Sequence, residues 1–176
     1  MKNTVKISVL FSLLAGFLLV ARHTAVTRAN QNDLIPYAYL PLVLNPNTGP
    51  EWLQYLNQFR LLADLSPLTE EAAWSAGGVL HSRYMVENDT ITHYEDTGNP
   101  WYTTEGYNAG RNGNVAVSSS STASDESAID LWMTGPFHAV GIIDPELART
   151  GFGSYRHAVG TWKMGATLDV LRGLES

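Results

Sequence analysis

Two histidines carry the chemistry open to this chain. His138 stands in "DLWMTGPFHAVGIIDPELARTGFG", residues 130–153, six positions past Trp132 and just beyond Gly135-Pro136. His93 opens "HYEDTGNPWYTTEG". Each reads as following the end of a helix, at the entry to a loop, and loops on a rigid scaffold are where binding and catalytic groups concentrate. Two imidazoles from distant segments can share a divalent ion such as zinc, or relay a proton. Without a third ligand they make half a zinc site, and histidines that hydrogen-bond and fill a cleft fit the same residues. The nearby carboxylates are Glu95, Asp96 and Glu105 on one side, Glu126 and Asp130 on the other. Helix capping or surface solvation explains any one of them equally well. His23, His81 and His157 read as structural or solvated.

Other chemistries find no footing. The sequence has no Gly-x-Ser-x-Gly elbow, no phosphate loop and no His-Glu-x-x-His. It has no cysteine, which excludes disulfides, thiol catalysis and Cys-based zinc sites. Asn88-Asp89-Thr90 fits a glycosylation sequon, relevant only in a eukaryotic secretory pathway. Lys2, Lys6 and the apolar run at 7–21 form a charged start and a short apolar core, the pattern of a secretory signal within residues 1–30. An uncleaved, outward-facing anchor is the alternative, and membrane contact is expected only in that case. Removing residues 1–30 leaves 7 basic against 17 acidic residues, a net charge of −10. So acidic a protein is a poor partner for nucleic acid or anionic membranes. The expected location is extracellular, and ~145 residues suffice for a core without disulfides.

The elements that must position the histidines follow from periodicity. Four prolines mark residues 31–50 as an extended leader, with a short edge strand at Tyr37 to Leu44. Trp52, Leu53, Leu56, Phe59 and Leu62 recur at helical spacing and predict a helix over 52–64. Ser66-Pro67 reads as a cap and first turn, with a helix continuing over 67–88. Residues 96–124 are rich in Gly, Asn, Ser and Thr and read as loops around a short strand at 114–117. Ser124 caps a third helix, 124–134, which Gly135-Pro136 stops. Strands are expected over 150–156 and 159–170 as a hairpin. Helices first, then loops, a helix and strands, indicate an α+β domain with an antiparallel sheet.

These residues also stand in a familiar order. "LNQFRLLADLSPLTEEAAWSAGGVLHSRYMVEN", His93 and "AIDLWMTGPFHAVGIIDPELARTGFG" resemble the CAP superfamily, the SCP-like extracellular domain, in its bacterial form. The resemblance runs over about 53–170 and assigns 51–173 as one domain. It implies a three-layer α–β–α sandwich around an antiparallel sheet, with His93 and His138 in one cleft. Family members bind sterols, lipids, peptides or proteins. In many, two glutamates complete the cleft and some bind zinc. Here "NGNVA" leaves Gly113 at the first glutamate position, and Gly135 stands at the second. The resemblance therefore implies a non-catalytic module for a lipid, peptide or protein ligand. No cofactor is required, and zinc on His93 and His138 is expected to be weak. The alternative is a weak metal-dependent hydrolase in the same cleft, with Glu105 or Glu126 as substitute base. A second alternative is a membrane-anchored interaction domain.

Overall fold

The computed structural model describes residues 49–175. The expected signal or anchor at 1–30, the leader up to residue 48 with its edge strand, and His23 lie outside the described residues. No helix among the described residues is long and apolar enough to cross a membrane.

The first apolar stripe forms helix α1, Glu51–Leu62, and buries Trp52, Leu53 and Leu56. The second helix starts later than its proline suggests. Buried Asn57 takes both backbone groups of Leu68: its amide donates to the Leu68 carbonyl at 3.1 Å, and its oxygen accepts the Leu68 N–H at 2.8 Å. Thr69–Glu70 then form a short strand, β1. With their backbone groups so occupied these residues cannot enter a helical ladder, and α2 runs over Ala72–Glu87.

The segment expected to be loop contains helix α3, Thr104–Arg111, capped by the Thr103 hydroxyl, which accepts the Gly106 N–H at 2.9 Å. Strand β2 follows at Gly113–Ser118 and helix α4 at Asp125–Thr134, capped by Ser124. The expected stop at Gly135-Pro136 is also a start. Proline occupies the first turn of a seven-residue helix, α5, Pro136–Ile142, where its missing N–H costs nothing. His138 therefore lies within a helix and not in a loop. The chain closes with β3 (Arg149–Thr150), β4 (Phe152–Arg156) and β5 (Met164–Asp169). The last strand is shorter than 159–170 because residues 157–163 form the connection from β4.

The main sheet is antiparallel in the order β2-β5-β4, with Asn114 opposite Leu168 and Phe152 opposite the same residue. A separate two-stranded ribbon pairs β1 parallel to β3. Every residue of β5 is buried, so both faces of the central strand are covered. One face carries Met164, Ala166 and Leu168 into a core with Leu56, Ile129, Trp132 and Phe152. Trp52 stacks on Phe152 at 5.3 Å and Trp132 meets it edge-on at 6.3 Å. The other face meets α2 at backbone distance. A Cβ on Gly165 would stand 2.6 Å from the Ser82 carbonyl, and one on Gly78 would stand 2.8 Å from the Gly153 nitrogen. Ser82 seals this face by donating to the Gly153 carbonyl at 2.8 Å. The result is a three-layer α–β–α sandwich around an antiparallel sheet.

Arg60 ties α1 to the end of α5. Its buried guanidinium donates to the carbonyls of Ser66 (2.8 Å), Ile142 (2.8 Å), Asp144 (2.9 Å) and Leu147 (3.0 Å). Burial pulls its pKa down and the Asp144 charge opposes that, but a guanidinium stays charged in proteins. Four carbonyls around one charge fix where the helix bearing His138 ends.

Candidate functional site

His93 and His138 line one cleft of about 590 Å³. It opens along β2 and is bounded by the loop at Ile91–His93, by α4, by the start of α5 and by Trp162. Ile91, Val115, Val117, Leu131, Trp132 and Trp162 give it apolar walls. Thr92, Thr134 and the two histidines are its polar side chains. That composition suits a ligand site, in which mostly apolar surface surrounds a few placed polar groups.

His93 is exposed and held from behind. Its Nδ1 lies 3.0 Å from the Gly110 carbonyl, at the end of α3. A carbonyl only accepts, so Nδ1 carries the hydrogen, and Nε2 of the neutral ring keeps its lone pair. His138 is half-buried. Its backbone is fixed twice: its N–H donates to the Gly135 carbonyl at 3.0 Å, and its carbonyl accepts from the Asn114 side chain at 3.0 Å. Asn114 thus joins the edge strand to α5. Trp132 donates its indole N–H to the Val115 carbonyl at 3.1 Å, joining that strand to α4 as well.

The carboxylates lie elsewhere. Neither Glu105 nor Glu126 lines this cleft. Glu105 is exposed in the first turn of α3, and its carbonyl packs against Gly77 of α2. Glu126 lines a different cavity of about 380 Å³, with Glu51, Asp125 and Arg156. Asp130 accepts the Tyr55 hydroxyl at 2.6 Å, and Asp96 accepts the Gly98 N–H at 2.9 Å. At the first position where the resemblance would put a glutamate, a Cβ on Gly113 would stand 2.6 Å from the Leu168 carbonyl and 2.8 Å from that of Ala109. The backbone has closed over that position. At the second, a Cβ on Gly135 would stand 3.0 Å from His138 Nδ1. No group of three or more His, Cys, Asp or Glu side chains suited to a metal occurs among the described residues. The donors present do not fit a closed zinc shell.

The sequence reading missed Trp162, whose position is set from the turn after α2. Asp89, with a left-handed φ of 49°, accepts the Trp162 N–H at 2.8 Å. An Asp in that conformation after a helix is a turn signal, but nothing in the sequence links it to residue 162. The sequon at Asn88 is engaged internally: its amide donates to the Tyr84 carbonyl at 2.8 Å and its oxygen accepts from Asn99 at 2.7 Å.

Comparison with known proteins gives a family and a fold. Residues 53–163 match the model of CAP, the cysteine-rich secretory protein family. Among solved structures the chain is similar to an extracellular protein containing an SCP domain from Bacillus anthracis str. Ames, with TM-score 0.54 and 16% identity. That match covers 69% of this chain and 39% of the other, so the chain spans well under half of the Bacillus protein's length. An outer surface protein from Borrelia burgdorferi aligns with TM-score 0.46 and 17% identity, over 66% of this chain and 86% of the other. No curated protein matches the sequence.

Proposed function

The chain belongs to the CAP, or cysteine-rich secretory protein, family, and from that membership we propose that it is a secreted, non-catalytic binding module. Its ligand, a lipid, peptide or protein segment, places an apolar body between Trp132, Leu131 and Trp162 and a polar end at His93 and His138. One observation carries this reading: the cleft combines apolar walls with two imidazoles and has no carboxylate among its lining residues. An apolar ligand is stabilised there by roughly 25 cal/mol for each Å² it removes from water. The imidazoles then fix its orientation through hydrogen bonds. A hydrolase in the same cleft is less well supported, because neither Glu105 nor Glu126 stands where a base is needed.

The test is a binding screen of the domain against fatty acids, sterols and apolar peptides, run beside the His93→Ala/His138→Ala variant. A ligand that binds the wild type and loses at least tenfold in affinity in the double variant supports the reading. Equal binding by both proteins, or turnover of any screened ligand, overturns it.

A further inference from the structure

Behind the cleft lies a pair of ionisable groups that the binding reading does not use. His81, on α2, and Glu95, in the loop after it, are completely buried, with side-chain exposures of 0% and 0%. His81 Nδ1 lies 2.9 Å from Glu95 Oε1, and its Nε2 lies 2.8 Å from the Thr92 carbonyl. The carbonyl only accepts, so Nε2 carries a hydrogen. The Nδ1–Oε1 contact also needs a hydrogen between its atoms. Thr92 is the residue before His93.

The second half of the arrangement runs through α3. Glu95 Oε2 accepts the Thr103 N–H at 3.0 Å, at the cap of that helix. The helix lies directly on the pair: a Cβ on Gly110 would stand 2.5 Å from both ring nitrogens of His81, and one on Gly106 would stand 2.5 Å from Glu95 Oε1. The carbonyl of this same Gly110 receives His93 Nδ1. Tyr84, one turn along α2, adds a third hold on the loop by accepting the Asp96 N–H at 3.0 Å.

We propose that the His81–Glu95 pair is the positioning device for His93, holding the cleft histidine in its Nδ1–H tautomer through Thr92 on one side and Gly110 on the other. A buried ion pair is a poor source of stability, since apolar residues of equal volume often do as well. What this pair supplies is a fixed geometry. One buried ring touches both the backbone next to His93 and the helix that accepts the His93 hydrogen. Hydrogen-bond partners of this kind set which nitrogen of a histidine is free to meet a ligand. His81 acts through His93 and does not itself line the cleft.

The proposal concerns the cleft of the binding reading, but its readout needs no ligand, so a ligand screen that finds nothing leaves the test intact. Nitrogen NMR of the histidine side chains reports the tautomer directly. In the wild type, His93 should show a single Nδ1–H tautomer. His81→Asn keeps a donor toward Glu95 but cannot reach Thr92, and His93 should then populate both tautomers. His81→Gln places its donor near the Thr92 carbonyl and should return most of the single-tautomer signal. A mixed tautomer at His93 in the wild type overturns the proposal. So does a folded His81→Asn protein whose His93 is unchanged. If neither variant folds, the wild type decides: a slowly exchanging His81 Nε2–H together with one His93 tautomer supports the proposal, and a fast-exchanging one overturns it.

Discussion

The indole N–H of Trp132 donates to the backbone carbonyl of Val115 across 3.1 Å, and both residues line the cleft. One bond therefore joins α4 to the edge strand of the sheet and shapes the site wall. Trp132→Phe removes the donor and leaves the Val115 carbonyl without it, in addition to the lost volume. An unpaired buried polar group costs about 1–3 kcal/mol, and truncation of a buried ring adds to that. We expect a total loss of about 2–4 kcal/mol on those grounds, read as a lower urea midpoint with an unchanged slope. An unchanged midpoint would show that the bond has no structural weight.

Restoring the family's glutamates should have opposite consequences at the two glycines. At Gly113 the new Cβ meets two backbone carbonyls, which cannot rotate away. Gly113→Glu should destabilise by at least about 1–3 kcal/mol through overpacking. At Gly135 the new Cβ is tight only against the His138 ring, at 3.0 Å, with the Trp132 carbonyl at an ordinary 3.7 Å, and Gly135 itself lines the cleft. Gly135→Glu should fold and bind zinc at least tenfold more tightly than the wild type, whose two imidazoles leave half the coordination shell to water. Calorimetric titration with zinc measures both proteins. Tight wild-type binding that survives His93→Ala/His138→Ala would remove these histidines from any metal account.

Acid should weaken the fold through Glu87. Its Oε1 accepts the Tyr155 hydroxyl at 2.7 Å and meets His157 Nδ1 at 2.9 Å. These bonds, the tyrosine's first, hold its carboxyl below the ordinary 4.5. A carboxylate depressed in the folded state adds stability that is complete above the unfolded value and is lost as pH falls through the folded one. Asp89 behaves alike, lowered by the Trp162 and Thr161 N–H groups. Asp169 opposes them, because burial raises its pKa despite Arg172, so its share grows as pH falls. Glu87→Gln should therefore flatten the loss of thermal stability below pH 4.5, as measured by melting temperature between pH 3 and 6. A variant that follows the wild-type curve would assign the acid sensitivity elsewhere.

The elements that follow simple periodicity were readable from sequence: α1 from Trp52, Leu53 and Leu56, α4 from its Ser124 cap, and the antiparallel strands flanking residues 157–163. The start of α2 was not, because Asn57 acts on Leu68 from eleven residues away. Helix α3 was hidden by Gly106 and Gly110, which weaken a helix in isolation. They are explained only by the His81 ring and the Glu95 carboxylate that occupy their missing side chains' space. Gly135-Pro136 was read as a stop, correctly for α4, but its second meaning as the first turn of α5 depends on the Arg60 contacts that hold the far end of that helix. His93 was picked out by type and by its loop, whereas His138 was expected at a loop entry and lies on α5, and the cleft they share was implied by the family resemblance. Trp162, brought in by Asp89, had no such signal.

The order β2-β5-β4 puts the last strand of the chain at the centre of the sheet. Among the described residues the outer strands pair only with β5. A chain emerging from its N-terminal end thus carries two unpaired strands until residue 169 appears, and its contacts join distant segments, which makes folding slow. Trp162, the far wall of the cleft, arrives only seven residues earlier. A product that stops before residue 164 lacks the strand that unites the sheet, and with it the support behind the cleft wall at β2. The cleft is in this sense a late product of synthesis, walled only once the stretch from Trp162 through β5 has been made.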